Sequence, residues 1–439
     1  MRRSRIVIAG GALALAVALV VAVAARGTAR DPIRVGVLTE CSGLLGQTKE
    51  LVLAGAALPL IDRGGTRHED GRVTGARVGG REVELVPACT EFTYFHLLTL
   101  ATRRLIEDDG VDIVLGPVGA GEGVVLRDLA ARYPDVTFLE GPPLAQEATL
   151  RDSRPNLFRF GPDGAQTTAG LGTYAYRALG WRRAVVVAED FSDGWELAAG
   201  FVAEFCALGG DVVERDWFSL FLPDPSPSAR RHAAEADGVV VLSELSPAAY
   251  LAAYGRAVGS LRRRVLLGGS AFLDPRNVRL PGVDLHGAVR GGYIPLDPDV
   301  TTMRTFRARF ERVFPELPPG PAKDVFVVPL YTAMTAVVSA VDQTGGELGE
   351  GQRDVRASLS SLELAVPQGK VRLDRNRQAI APIYLERIGS SPRGGAAVEA
   401  ARTVRDVDQG FGGIFTAHTP RPSATEPVCE RRRRPAWAR

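Results

Sequence analysis

Two glycine-rich stretches, five histidines, four cysteines and a scatter of carboxylates are the residues of this chain that could carry chemistry. Gly119-Ala120-Gly121-Glu122-Gly123 follows an apolar, strand-like run, as an anion-cradling loop would, because free N–H groups at a helix start favour negative charge. The dinucleotide fingerprint, however, needs glycine where Val124 stands, and no Gly-Lys-Ser/Thr is present. Gly268-Gly269-Ser270-Ala271-Phe272 has the start of a nucleophile elbow, but Phe272 occupies the position where the sharp turn requires glycine. His68, His96, His232, His286 and His418 include no pair at metal-ligand spacing, and none follows an acid in the order a hydrolase needs. Cys41, Cys89, Cys206 and Cys429 show neither Cys-x-x-Cys nor zinc spacing. These residues predict a non-enzymatic protein with no metal and no cofactor.

An alternation of strand and helix must position them. Residues 33–38, 83–86, 111–115 and 136–139 read as short buried strands, separated by helical stretches over 51–61, 95–107 and 122–132. The pattern restarts after Pro155, with strands at 184–188, 211–215, 238–242, 264–267 and 288–293 and helices at 195–208 and 247–258. Helical stretches over 303–313 and 326–343 follow, then an antiparallel pair at 369–374 and 383–388. The spacing predicts two α/β lobes with parallel-rich sheets covered by helices, and ligands gathering at the carboxyl ends of the strands. After Gly389 the chain reads as loop, and the Pro-, Ser- and Arg-rich stretch 420–439 as a poorly ordered basic tail.

Of the 439 residues, 45% are apolar and 24% charged, which excludes a disordered or multi-span membrane chain. The net charge of +2 divides into +5 for residues 1–30, +4 for 420–439 and −7 for the body between them. No basic field draws that body to nucleic acid. Residues 6–25 carry no charge and follow Arg2, Arg3 and Arg5, so residues 1–30 form a membrane-targeting segment, either a cleaved signal peptide or an uncleaved anchor, that places the rest outside the cytoplasmic membrane. In an oxidising compartment disulfides form. Cys41 and Cys89 lie just past the ends of two consecutive strands and are expected to pair; Cys206, in an apolar helical stretch, reads as a small buried thiol, with a bridge to Cys429 left open.

The runs 33–38 with Ser42-Gly43, 104–117, 156–160, Gly268-Gly269-Ser270 and Asp408-Gln409-Gly410-Phe411-Gly412-Gly413 together resemble the type I periplasmic binding proteins of the branched-chain amino acid (Leu/Ile/Val) subfamily of ABC transporters. The resemblance implies two Rossmann-like lobes joined by a three-crossover hinge near Pro155, Pro295 and Val366. Lobe I would comprise 31–155 and 296–366, and lobe II 156–295 and 367–419. It implies a monomer that closes on a small amino-acid-like, amide or related polar solute and hands it to an ABC permease. Carried over by position, the ligand residues would be Ser42, Gly119, Ala120, Gly121, Glu140 and Gly141 from lobe I, with Phe326 as an apolar wall, and Phe191, Asp193, Glu244, Leu245, Ser270 and Phe272 from lobe II. Where the subfamily places Ser or Thr, this chain has Gly119, Ala120 and Glu140, and an acid there suits an amine or amide better than the carboxylate of Leu, Ile or Val. The alternative is a membrane-anchored extracytoplasmic sensor or interaction protein; an exported hydrolase stands behind both, for want of a nucleophile elbow.

Overall fold

Unbroken apolar runs buried on both faces make the central strands, as parallel strands require. The structure, a computed structural model, describes residues 30–91, 93–119, 121–218, 224–244, 248–273, 283–390, 396–431 and 433–438; of the expected targeting segment 1–30, residues 1–29 lie outside them. The first seven strands are β1 (Ile33–Glu40), β2 (Thr66–Arg67), β3 (Val73–Val78), β4 (Arg81–Thr90), β5 (Ile113–Leu115), β6 (Thr137–Glu140) and β7 (Leu157–Arg159). They form one sheet in the order β2-β3-β4-β1-β5-β6-β7, parallel from β4 to β7, with β2 and β3 antiparallel at its edge. The second sheet has β8 (Arg183–Glu189), β9 (Asp211–Phe218), β10 (Gly238–Leu242), β11 (Val265–Gly268) and β12 (Val289–Gly292) in parallel. It continues antiparallel through β13 (Glu363–Val366), β14 (Gly369–Leu373), β15 (Ala379–Ser390) and β16 (Ala396–Val407), and β15 pairs with β12.

Helices cover both faces of each sheet. They are α1 (Lys49–Ile61), α2 (Phe95–Glu107), α3 (Glu122–Arg132), α4 (Glu147–Leu150), α5 (Gly164–Thr167), α6 (Ser192–Ala207), α7 (Ser226–Glu235), α8 (Ala248–Val258), α9 (Thr301–Val313), α10 (Asp324–Gln343) and α11 (Arg353–Ser361). Ile33, Val35 and Val37 of β1 pack toward α1 and α10, while Leu38 and Val114 face α2 and α3. In the second sheet Val186 meets Phe201 and Phe205 of α6, and Val187 meets Tyr250 and Tyr254 of α8. α10 is long and apolar enough to cross a membrane, yet it is a core helix, mostly buried. It lies so close to α1 that a Cβ on Gly55 would sit 2.5 Å from the Val327 carbonyl oxygen, so this crossing needs glycine.

Three expectations change. The chain after Gly389 is not loop throughout: β16 is an edge strand whose Arg, Glu and Thr side chains face water, so it shows no apolar run, and pairing with β15 satisfies its backbone. The basic tail is ordered over 420–431 and 433–438, held by guanidinium and indole bonds to its carbonyl oxygens rather than by an apolar stripe. Cys206 is not a free thiol but is bonded to Cys429, and Cys41–Cys89 is bonded as expected.

At the edge of the first sheet, Arg159 is fully buried. Its Nε donates to Gln378 Oε1 at 2.5 Å, Nη1 to the Ala145 carbonyl at 2.8 Å and Nη2 to Thr149 Oγ1 at 2.9 Å, and Glu140 lies 3.4 Å away as its counter-ion. Removing one member of such a pair leaves a buried charge and several polar atoms unmatched. Arg159→Met is expected to lower the unfolding free energy by about 3–5 kcal/mol, read by chemical denaturation; a loss below about 1 kcal/mol, the scale of an exposed pair, would show that the junction stands without it.

Candidate functional site

The carboxyl ends of both sheets open into one cleft of about 830 Å³. From the first sheet come Leu44 and Leu45 after β1, Thr93 and Phe95 after β4, Val118 and Gly121 after β5, and Pro142 and Leu144 after β6. The second sheet supplies Phe191 and Asp193 after β8, Phe218 at the end of β9, Glu244 after β10, Ser270 and Leu273 after β11, and Arg290, Gly292, Tyr293 and Ile294 at and after the end of β12. Val325 and Phe326, from the first turn of α10, complete the wall. The Cys41–Cys89 bond joins the β1 loop to β4, which holds Leu44 and Phe95 at one lip. Leu44 is 54% exposed and Phe95 46%, so this lip presents apolar surface to be covered.

The second-sheet wall is acidic. Glu189 Oε1 accepts from Ser243 Oγ and, at 3.1 Å, from the Glu244 N–H. Glu244 in turn accepts from the Ser270 N–H at 3.0 Å and from Ser270 Oγ. Gly269, between them, has φ +95° and no room for a side chain, since a Cβ would lie 2.2 Å from the Ser243 carbonyl oxygen. Asp193 is buried, and its Oδ1 has no hydrogen-bond partner. Burial, reinforced by Glu189, pushes the Asp193 carboxyl up to about 7. Burial and the nearby Asp193 push Glu244 up to about 8. Among the described residues Arg290 is the one cationic side chain on the cleft, and it is engaged: it pairs with buried Glu386 and donates to the Ile294 carbonyl at 3.3 and 3.4 Å. Burial lowers the Arg290 pKa against the pull of Glu386. Among the described residues no cluster of His, Cys, Asp and Glu is arranged to hold a metal.

Of the residues singled out from sequence, the structure brings Gly121, Phe191, Asp193, Glu244, Ser270 and Phe326 together on the cleft. Others lie elsewhere. Ser42 is exposed and donates to Glu91 at 2.7 Å. The Gly119 N–H is taken by Glu122 Oε2 at 2.7 Å, so an acid of the chain itself already occupies that donor. Glu140 does not face the cleft; it is buried against Arg159, and burial raises its carboxyl to about 7. Gly141 is buried, with its N–H on the Gly116 carbonyl at 3.3 Å, and Phe272 is fully buried in the core beneath β10 and β11. Ala120 and Leu245 lie outside the described residues. Sequence reasoning passed over the apolar lip of Leu44, Leu45 and Phe95, together with Phe218 and Tyr293. Their signal was position alone: each stands within a few residues of a strand's carboxyl end.

A family model described as periplasmic binding protein matches residues 32–419. No curated protein matches the chain. An ABC transporter substrate-binding protein from Sphaerobacter thermophilus superposes with a TM-score of 0.75 at 26% identity, over 86% of this chain and 99% of that one. A solute binding protein of an ABC transporter from Rhodopseudomonas palustris HaA2, in complex with p-hydroxybenzoic acid, gives 0.73 at 17% identity over 88% and 100%. A branched-chain amino acid transporter substrate binding protein from Streptococcus pneumoniae, in complex with isoleucine, gives 0.65 at 16% identity over 84% and 99%.

The raised cleft carboxyls have a consequence for stability. Folded, Asp193 and Glu244 keep protons up to about pH 7 and about pH 8, whereas in the unfolded chain they release them near about pH 4. The folded state therefore binds more protons across that window, and ligand-free stability falls as pH rises through it. Thermal unfolding is expected to shift downward between roughly pH 5 and pH 8, and Asp193→Asn with Glu244→Gln to flatten part of that slope; a slope identical to that of the unaltered protein would remove both groups from the titration.

Proposed function

The chain belongs to the periplasmic binding protein family, whose members bind solutes rather than transform them, and from that premise we propose that it captures an amine- or amide-bearing solute with an apolar or aromatic body outside the cytoplasmic membrane. An ABC importer would then receive the solute. In this reading the first sheet with its helices is one lobe and the second sheet the other, with crossings after β7, after β12 and before β13, and the lobes close over the cleft by a hinge.

The observation that carries the ligand class is the cleft's charge. Its walls are mostly apolar, and Asp190, Asp193 and Glu244 line it, while the one arginine on it among the described residues is held by Glu386. The similar structures hold p-hydroxybenzoic acid and isoleucine, each of which carries a carboxylate. Once Asp193 and Glu244 have released their protons, a carboxylate entering this cleft would meet like charge on the second-sheet wall with no uncommitted cation among the described residues beside it, whereas an ammonium or amide N–H would supply the donor that Asp193 Oδ1 lacks. The apolar lip of Leu44 and Phe95 suits a ring or alkyl body.

Matched panels of aromatic and alkyl amines, amides and carboxylates test this by thermal shift and calorimetry. An amine or amide is expected to stabilise the protein by about 2.7 kcal/mol when present at about a hundred times its Kd, and its affinity to rise from pH 6 toward pH 8 as the two carboxyls release their protons. Glu244→Gln should weaken an amine by about 10-fold or more, the size of one charge-assisted hydrogen bond. Tighter binding of the carboxylate than of its amine counterpart would refute the ligand class and leave the family standing.

A further inference from the structure

The family match ends at residue 419, and the chain beyond that point follows a defined course. After β16 it places Phe411, Ile414 and Phe415 in the apolar core shared with β1 and α10. It next meets the segment around α4. Arg151 Nε donates to the Thr419 carbonyl at 3.0 Å, and its Nη2 to Thr419 Oγ1 at 3.2 Å and the Pro420 carbonyl at 2.9 Å. Arg421 pairs at 2.6 Å with Glu147, a buried carboxylate also held by Arg127 of α3 at 3.2 Å. The chain then turns to the second sheet. There Trp217 Nε1 of β9 donates to the Ala424 carbonyl at 3.1 Å, Arg215 donates to the Pro427 carbonyl, and Cys429 is bonded to Cys206 of α6. The far end returns to the middle, with Trp437 edge-on to Phe411 at 5.1 Å between ring centroids.

We infer that residues 419–429 are a strap across the hinge, bound on one side to α3 and α4 beside the first sheet and stapled on the other to α6 and β9 of the second, and that it limits how far the lobes swing apart. The two elements that carry the anchors touch where the lobes meet: the Gln146 N–H, just before α4, donates to Glu196 of α6 at 3.0 Å. Arg421 and Cys429 are eight residues apart, a reach of about 26–29 Å at full extension, so the covalent end cannot be left behind as the other end moves. A wide swing must break the three Arg151 bonds or the Arg421–Glu147 pair, or pull on the disulfide. Limiting the swing keeps a larger fraction of the ligand-free protein near the closed form, and apparent affinity scales with that fraction. The inference rests on the reading that the two lobes close by a hinge, but not on which solute they close upon.

The test uses the full-length, ligand-free protein. Spin labels carried by unnatural amino acids at the exposed positions Arg132 on α3 and Glu235 on α7 report the lobe separation by pulsed EPR. Arg421→Glu sets like charges beside Glu147 at a largely exposed guanidinium, so folding is retained; it is expected to lengthen and broaden the distance distribution by several ångströms. The triple variant Cys206→Ser/Cys429→Ser/Arg421→Glu should widen it further and open the chain to trypsin at Arg431 and Arg433. A distribution unchanged in the triple variant overturns the strap, whatever ligand the cleft takes. A distribution that stays single and narrow in both variants and on addition of an identified ligand overturns the hinge reading as well.

Discussion

A guanidinium cut off from water sets the geometry of the junction between the two sheets. Taking a charge of this kind out of water costs several kcal/mol, which only a full set of well-placed acceptors can offset. Arg159 finds them on chain segments that are distant in sequence: Ala145 and Thr149 beside α4, Glu140 at the end of β6, and Gln378 in the turn before β15. The Arg159 N–H reaches the Arg377 carbonyl at 2.9 Å, so the last strand of the first sheet makes a bridge to the turn that feeds the second. Gln378 passes the constraint on to Gly161 and Gln166, and Gln166 bonds the carbonyls of Ala379 and Val407. Shift Arg159 and each of these segments loses a partner it cannot replace from solvent.

A second buried arginine does the same at the next crossing. Arg290, on β12, pairs with Glu386 on β15, and the other oxygen of Glu386 accepts from the N–H groups of Leu296 and Asp297 at 2.8 and 2.7 Å as the chain leaves the second sheet. Directional, charge-assisted bonds thus hold the crossings, while the cleft between them is mostly apolar and defined by shape. Bonds of that kind tolerate little displacement, which favours rotation about fixed points over a sliding of one sheet along the other.

Much of this was legible in the sequence and some was not, for identifiable reasons. The strands buried on both faces announced themselves as apolar runs, and α2 and α3 begin and end where the periodicity places them, at Phe95–Glu107 and Glu122–Arg132. Edge elements were hidden: β3 and β16 bury only part of their surface, so their side chains alternate without an apolar majority. The tail carried no periodicity at all, because its order comes from a disulfide and from side chains of other segments bonding its backbone. In the site, Asp193, Glu244 and Ser270, each just after a second-sheet strand, line the cleft, whereas Phe272 from the same loop as Ser270 is turned into the core. Glu140 was misjudged because its partner, Arg159, stands nineteen residues further on, and nothing in a linear sequence says that one buried charge will claim another.

That pairing decides the character of the cleft. Chains of this topology hold ligands as unlike as p-hydroxybenzoic acid and isoleucine, so the fold leaves the ligand to the residues at the strand ends. Here Arg159 and Arg290 are each paired with a carboxylate of their own beside the crossings between the sheets. On the second-sheet wall stand Asp190, Asp193 and Glu244, the last two held above the ordinary carboxylate range by burial and by the other acids around them. Acids held in this range in a mostly apolar cleft give up their protons more readily when a cation arrives to replace them. Part of the negative surplus in the body of the chain thus stands on the second-sheet wall of the cleft, while Arg159 and Arg290 are paired elsewhere, beside the crossings.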